Sequence, residues 1–431
     1  MQPALTPSLS PASQPSPRPL PEGEGDKAEK DLTESGQTLS PNRPIVIIGS
    51  GLAGYTVLRE FRKRDQATPV TLICADDGHF YSKPNLSNAL AAGKGAEQLV
   101  NTPREKMASD LKAEILANTR VTAIDTVGKK VRRGDGETGY SKLVLALGAD
   151  AIPHGLTGPG SEKVFAVNDL QDYATFRAAL KPGGKVAILG GGLIGSEFAN
   201  DLAASGHKVE VVHLGPWPLE RLIPEQVGRA LADALAEKGV AWHFGRTAKA
   251  IEPVGEGIGL TLDDGSRVEA DIVLSAIGLR SRTQLAASAG LQVNRGIVVD
   301  KTLQASAADV YAAGDCAEVG GQVLPYVLPL MQQARALAAT LAGETTEVRY
   351  PVMPVVVKTP ALPLAVLPPA PGAEGGWQVE CFDDGICALH LDNGRLLQGF
   401  ALAGRQATQR AQYAAKVGQA VSQARTPAPQ A

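Results

Sequence analysis

The sequence predicts an α/β protein of two three-layer domains, the first interrupted by the second, with a small α+β domain at the C-terminal end. Three observations predict this. The spacing G-x-G-x-x-G occurs at Gly49, Gly51 and Gly54 and again at Gly190, Gly192 and Gly195, each time between a β-branched run and a helical pattern. First-domain sequence resumes after the second motif, in GIVVDKTLQASAADVYAAGDCAEV. From about Arg349 the chain changes to short strands followed by a helix. At 431 residues it is also too long for one comfortable core.

Residues 1–42 are rich in Pro, Ser and Glu and read as a disordered tail, because they carry too little apolar surface to offset their ordering entropy. The first domain then takes residues 43–153 and 281–347. Its opening strand is Ile45 to Ile48, followed by a helix from Tyr55 to about Arg64 and a strand ending at Cys74. In this β-α-β unit Gly49 makes the tight turn, Gly51 leaves room for a pyrophosphate and Gly54 lets helix and strand approach. The free N–H groups of the helix's first turn face the phosphates. Asp76, or Asp77 beside it, stands where a carboxylate accepts hydrogen bonds from a ribose. HFYSKPNLSNALAAG reads as a loop carrying Lys83. Residues 113 to 131 suggest short antiparallel strands, and YSKLVLALGADAIP a buried strand with a turn at Gly148.

The second domain, 154–280, repeats the pattern with the strand before Gly190, a helix after it and the strand Lys208 to Val212. An amphipathic helix at 224–239 has Val227, Leu231 and Leu235 at four-residue spacing. Strands near 241–244, 248–253 and 258–262 follow, with an Asp264-Gly265 hairpin turn. Back in the first domain, Asp315 follows a strand and Gly314. Alone it would read as a helix cap, but beside two dinucleotide motifs it reads as a ligand to a polyol chain. The third domain, 348–421, ends in a helix from about Gln406 to Val421, and 422–431 reads as a flexible tail. Past Asp392 there is no acidic side chain, while Arg395, Arg405, Arg410, Lys416 and Arg425 are present.

Two motifs, an interrupted first domain, the strand-to-GD element and a small third domain resemble the glutathione-reductase-like flavoproteins. Within them, YSKPNLS, VVVKTPALPL and VYAAGDCAEV are most similar to the rubredoxin reductases. The resemblance implies FAD at the first motif, NAD(P)H at the second and rubredoxin, or a related small acidic iron–sulfur carrier, as electron acceptor. It also implies that Asp315 holds the ribityl chain, that Lys83 approaches the flavin and that Lys358 lies near its pyrimidine edge. Glu197 matches a family glutamate on the nicotinamide side, able to pair with the loop lysine Lys83. Two departures stand out. The strand KVEVV ends at His213 without a ribose-binding carboxylate, so NADH is preferred only by default and NADPH stays open. Leu147 replaces the threonine usual in the turn at Ala146 to Gly148.

Chemistry follows from what is missing. A disulfide reductase needs two thiols beside the flavin, and YSKPNLSNALAAG has none. Electrons therefore leave the flavin directly, and catalysis is positioning by Lys83, Glu197 and Lys358. A ferredoxin of an oxygenase system, or a redox-responsive binding module, are the competing readings. The net charge of −3 supplies no global attraction to nucleic acid. No apolar run spans a bilayer, the start lacks a secretory signal and no histidine cluster predicts a metal. A cytoplasmic protein is expected, and the sequence leaves the oligomeric state open, a monomer included.

Overall fold

The run Ile45–Ile48 has only apolar side chains, and it becomes the central, fully buried strand of a parallel sheet. Val70–Ile73 pairs on one side and Lys142–Leu145 on the other. Glu114–Leu116 and Val310–Ala312 complete the five strands at the edges. One edge strand thus comes from beyond the second glycine motif. The computed structural model describes residues 43–134 and 136–420, and the tails expected at 1–42 and 422–431 lie outside the described residues.

The helices Leu52–Arg62 and Val327–Leu341 pack on each other and share one core with this sheet through Leu58, Phe61, Ala334 and Leu337. The first begins at Leu52, three residues before the expected start, because Gly51 is already extended and ends the turn. Glu114–Leu116 departs from the antiparallel pairing expected of 113 to 131. It follows the helix Arg104–Asp110, and a strand reached through a helical crossover returns parallel to its neighbour. The antiparallel meander is confined to Val121–Asp125, Lys130–Arg133 and Gly136–Gly139.

A second five-stranded parallel sheet runs in the order Val164–Phe165, Ile272–Ser275, Lys185–Leu189, Lys208–His213, Val240–Phe244. Beside it Ala248–Val254, Gly257–Leu262 and Arg267–Ala270 form an antiparallel sheet. The two chain segments that connect the parallel sheets pair with each other, Ala149–Ala151 antiparallel to Leu279–Ser281.

The third sheet is wholly antiparallel, in the order Val355–Val357, Leu364–Leu367, Leu397–Gly404, Gly385–Leu391, Gly376–Phe382. Its Val357, Leu364 and Val366 are buried in one cluster with Leu86, Ile188 and Phe198. The C-terminal helix is shorter than expected. A 3-10 turn at Arg405–Gln409 leads into Arg410–Lys416, and the helix stops there. Gly418 N–H then donates to Leu397 O at 2.8 Å and Leu397 N–H to Gln419 O at 3.0 Å, so the backbone that would extend the helix pairs with a strand instead. Among the described residues no helix is long and apolar enough to cross a membrane.

Candidate active site

Both glycine motifs form cradles of the same shape. Gly49 has φ +116°, and a Cβ there would lie 2.2 Å from Ala146 O; at Gly54 it would lie 1.9 Å from Gly49 O. Gly51 faces open space, with nothing within 4 Å of such a Cβ. The second motif repeats this. Gly190 has φ +99° with Ala276 O at 2.6 Å, Gly195 meets Gly190 O at 1.9 Å, and Gly192 is open. Two glycines of each motif are thus demanded by the protein's own packing, and the middle one by whatever approaches the loop. Neither following helix has a side-chain cap or an acidic residue in its first turn. Their N–H groups are left for an anion. FAD at the first cradle and a nicotinamide dinucleotide at the second fit these residues.

Around the first cradle, Asp76 accepts from Ser50 Oγ at 2.6 Å and from Gly78 N–H at 3.0 Å, which holds its carboxylate against the glycine loop. Asp77 turns away to accept from His79 N–H at 3.0 Å. Asp315 sits in a three-residue 3-10 turn, Gly314–Cys316, rather than at the start of a longer helix. Gly314 has φ +80°, and a Cβ there would meet Ala53 Cβ at 2.6 Å, so the turn is seated on the first cradle's helix. Its N–H donates to Gln333 Oε1 at 2.7 Å, which fixes the turn from the helix Val327–Leu341. Burial pushes the Asp315 carboxyl above its usual range, and Lys83 opposes the shift. Gly148, with φ +70°, opens onto free space at the neighbouring strand end.

Lys83 starts a 3-10 helix, Lys83–Asn88, where the sequence suggested an irregular loop; Pro84 fixes its first turn. The Nζ donates to Asn168 Oδ1 at 2.6 Å, and Asn168 Nδ2 donates to Ala149 O at 2.9 Å. Burial draws the ammonium below its ordinary range, and the Asp315 carboxylate pulls the other way. Lys83 and Asp315 are thus both buried at the first cradle, and each opposes the effect of burial on the other.

The expected Lys83–Glu197 pair does not form. Glu197 binds Lys358 instead, Nζ to Oε2 at 2.6 Å. The reason is geometric. Glu197 lies on the inner face of the helix Leu193–Ala204 with 3% of its side chain exposed, and the third sheet delivers Lys358 to that face. Lys358 N–H donates to Glu197 Oε1 at 3.0 Å, and Ser87 Oγ donates to Oε2 at 2.6 Å. Lys358 Nζ also reaches Ser87 Oγ at 2.8 Å and the Pro84 carbonyl. The same helix ties the segment through Asn200 Oδ1, which accepts from Ala361 N–H at 3.0 Å, and through Asp201, which accepts from Leu90 and Ala91 N–H at 2.9 and 3.0 Å. One helix face thereby joins residues 84–91 to 358–361.

Sequence reasoning missed Ser87, Asn168, Gln333 and Asp201. Ser87 lay inside the quoted YSKPNLS; the other three carry no local signal, since each matters only through a partner far along the chain. Cys74, Cys316 and Cys387 are buried free thiols and Cys381 is exposed and free. Burial pushes Cys316 up to about 11, which keeps it a thiol.

The paired cradles on interleaved parallel sheets define a flavin- and pyridine-nucleotide-binding oxidoreductase. Residues 43–338 match the family model of the pyridine nucleotide-disulphide oxidoreductases, and the chain belongs to that family. Residues 347–417 match the rubredoxin binding C-terminal domain. The chain is 52% identical over 362 residues to a rubredoxin-NAD(+) reductase of Alcanivorax borkumensis, covering 84% of this chain and 95% of the relative. It is 48% identical to the rubredoxin-NAD(+) reductase of Acinetobacter baylyi, over 84% and 95%. Among solved structures, a ferredoxin reductase for the CYP199A2 system of Rhodopseudomonas palustris superposes with TM-score 0.77 at 26% identity, covering 84% of this chain and 91% of that one. The NADH:rubredoxin oxidoreductase of Clostridium acetobutylicum, at 20% identity, shares the fold with TM-score 0.74 over 90% and 97% of the two chains.

Proposed function

We propose that this chain is an NADH-dependent flavoprotein reductase that passes electrons to rubredoxin without a redox-active disulfide. The observation that carries the reading is the match of residues 347–417 to a rubredoxin binding domain, joined to two dinucleotide cradles. FAD, when bound, supplies the chemistry, since it takes a hydride from NADH and gives up electrons singly. The chain's own task is to hold and orient. Gly49, Gly51, Gly54, Asp76, Gly148 and Asp315 are assigned to FAD, and Gly190, Gly192 and Gly195 to the nicotinamide dinucleotide. The corresponding domains are 43–153 with 281–347, 154–280 and 348–421.

Lys83, held by Asn168, offers a hydrogen-bond donor on the flavin side of the site. Lys358 and Glu197 clamp the three segments so that two bound cofactors would be kept at fixed separation and shielded from water. No thiol lies in the segment Lys83–Asn88 that faces this junction, which supports direct electron exit. The free state of all four cysteines supports work in the reducing cytoplasm.

The test is steady-state oxidation of NADH by the holoprotein with oxidised rubredoxin or a plant-type ferredoxin as acceptor, at equal concentrations. Faster turnover with rubredoxin is expected. Equal or faster turnover with ferredoxin would transfer the reading to an oxygenase-type reductase.

A further inference from the structure

In a strand–glycine loop–helix unit that prefers NADH, a carboxylate roughly 20 residues past the motif accepts from the adenosine ribose 2′-OH, and an arginine there receives a 2′-phosphate. The second cradle's own strand does not supply that carboxylate. Lys208–His213 ends on a histidine whose two ring nitrogens are both engaged within the protein. Its Nδ1 accepts from Gly191 N–H at 3.0 Å, and a Cβ on Gly191 would lie 2.9 Å from the ring's Cγ, so the imidazole lies directly against the glycine loop. With Nδ1 accepting, the proton is assigned to Nε2. Nε2 then donates to Glu220 Oε2 at 2.9 Å and approaches Trp217 O at 3.1 Å.

The segment that carries Glu220 is fixed. Leu219 N–H donates to Gly191 O at 3.0 Å. Trp217 packs over Gly228, where a Cβ would meet its ring at 2.2 Å, and its Nε1 donates to Ile223 O at 3.3 Å. The Glu220 side chain remains 24% exposed, so its carboxylate is held by the histidine yet open to a ligand. Arg221, 89% exposed, has its Nε 3.6 Å from Glu220 Oε1.

We infer that Glu220 is the residue that recognises the adenosine ribose and sets the preference for NADH over NADPH, with His213 as its positioning residue. This rests on the reading of the second cradle as the nicotinamide dinucleotide site. A fixed carboxylate accepts from the ribose hydroxyls and repels a 2′-phosphate. It also balances the guanidinium of Arg221, which would otherwise attract that phosphate. The carboxylate that the strand lacks is returned from seven residues further along the chain, through a histidine anchored on the glycine loop.

The test is calorimetric titration of the oxidised, FAD-loaded protein with NAD+ and with NADP+, which reads binding without turnover. The wild type is expected to bind NAD+ more tightly. Glu220→Gln should weaken NAD+ by roughly tenfold, as expected for loss of a charge-assisted hydrogen bond, and leave NADP+ equal or tighter. Adding Arg221→Ala should remove any gain in NADP+. His213→Ala should narrow the NAD+/NADP+ ratio with FAD content unchanged, and His213→Gln should restore part of it. An unchanged ratio in Glu220→Gln, or equal weakening of both nucleotides, would overturn the assignment. If the wild type binds neither nucleotide, the nicotinamide reading of the second cradle itself fails.

Discussion

At the scale of single residues, the cradle glycines separate what the fold requires from what the ligand requires. Gly49→Ala would place a methyl group 2.2 Å from Ala146 O at φ +116°, so the protein should be destabilised with or without FAD. Gly51→Ala meets nothing, and should leave the melting temperature of the apoprotein unchanged while FAD affinity falls at least tenfold by equilibrium dialysis. Equal FAD binding would remove the first cradle from the account. Asp315 makes a converse prediction. Burial raises its folded-state pKa above the unfolded value, so stability is lost as pH rises from the unfolded pKa through the folded one. Asp315→Asn should therefore stabilise the apoprotein near neutral pH and flatten that pH dependence, yet bind FAD more weakly. Lys358→Ala leaves Glu197 buried with a charge and only Ser87 and a backbone N–H as partners. About 3 kcal/mol of stability should be lost in urea unfolding, and most of it recovered in the double variant with Glu197→Gln.

At the scale of elements, the helix Leu193–Ala204 does two jobs. Its N-terminus closes the second cradle, and its inner face binds segments from both flanking parts of the chain. The glycine spacing made the first job readable in the sequence, because backbone contacts force those residues locally. The second was not readable. Lys83 and Lys358 are both lysines near prolines in quoted motifs, and only the packing of Val357 and Leu364 against the second core decides which one reaches Glu197. For the same reason His213 could be seen to replace an acid, while Glu220 could not be seen to stand beside it. The third sheet carries its own test. His390 is buried against Trp377, its Nδ1 has no partner among the described residues, and burial lowers its pKa. A depressed histidine contributes stability above its unfolded pKa of about 6.5 that is lost as pH falls toward the folded value. Thermal unfolding should show that acid loss in the wild type and less of it in His390→Gln; an identical pH profile would mean that His390 is not buried as described.

At the scale of the whole molecule, the interleaved chain path joins the two dinucleotide cradles in one chain. The strands that connect the parallel sheets pair with each other, and the segment after Val357 is tied to the helix Leu193–Ala204 through Glu197 and Asn200 and to the turn Lys83–Asn88 through Lys358. The net charge of −3 leaves recognition of an acidic carrier to local basic groups, of which Arg405 is largely exposed and only loosely paired with Asp384 at 3.6 Å. Reduction of rubredoxin should accordingly slow as ionic strength rises.

The central claim is that electrons leave the flavin directly, with no thiol relay. The measurement that tests it most directly is an anaerobic reductive titration of the holoprotein with NADH, followed by addition of oxidised rubredoxin, with flavin and iron absorbance recorded together. The account predicts one NADH per flavin for full reduction and two rubredoxins reduced as the flavin is reoxidised. Two NADH per flavin would reveal a reducible disulfide and contradict it; a reduced flavin that leaves rubredoxin oxidised would do the same.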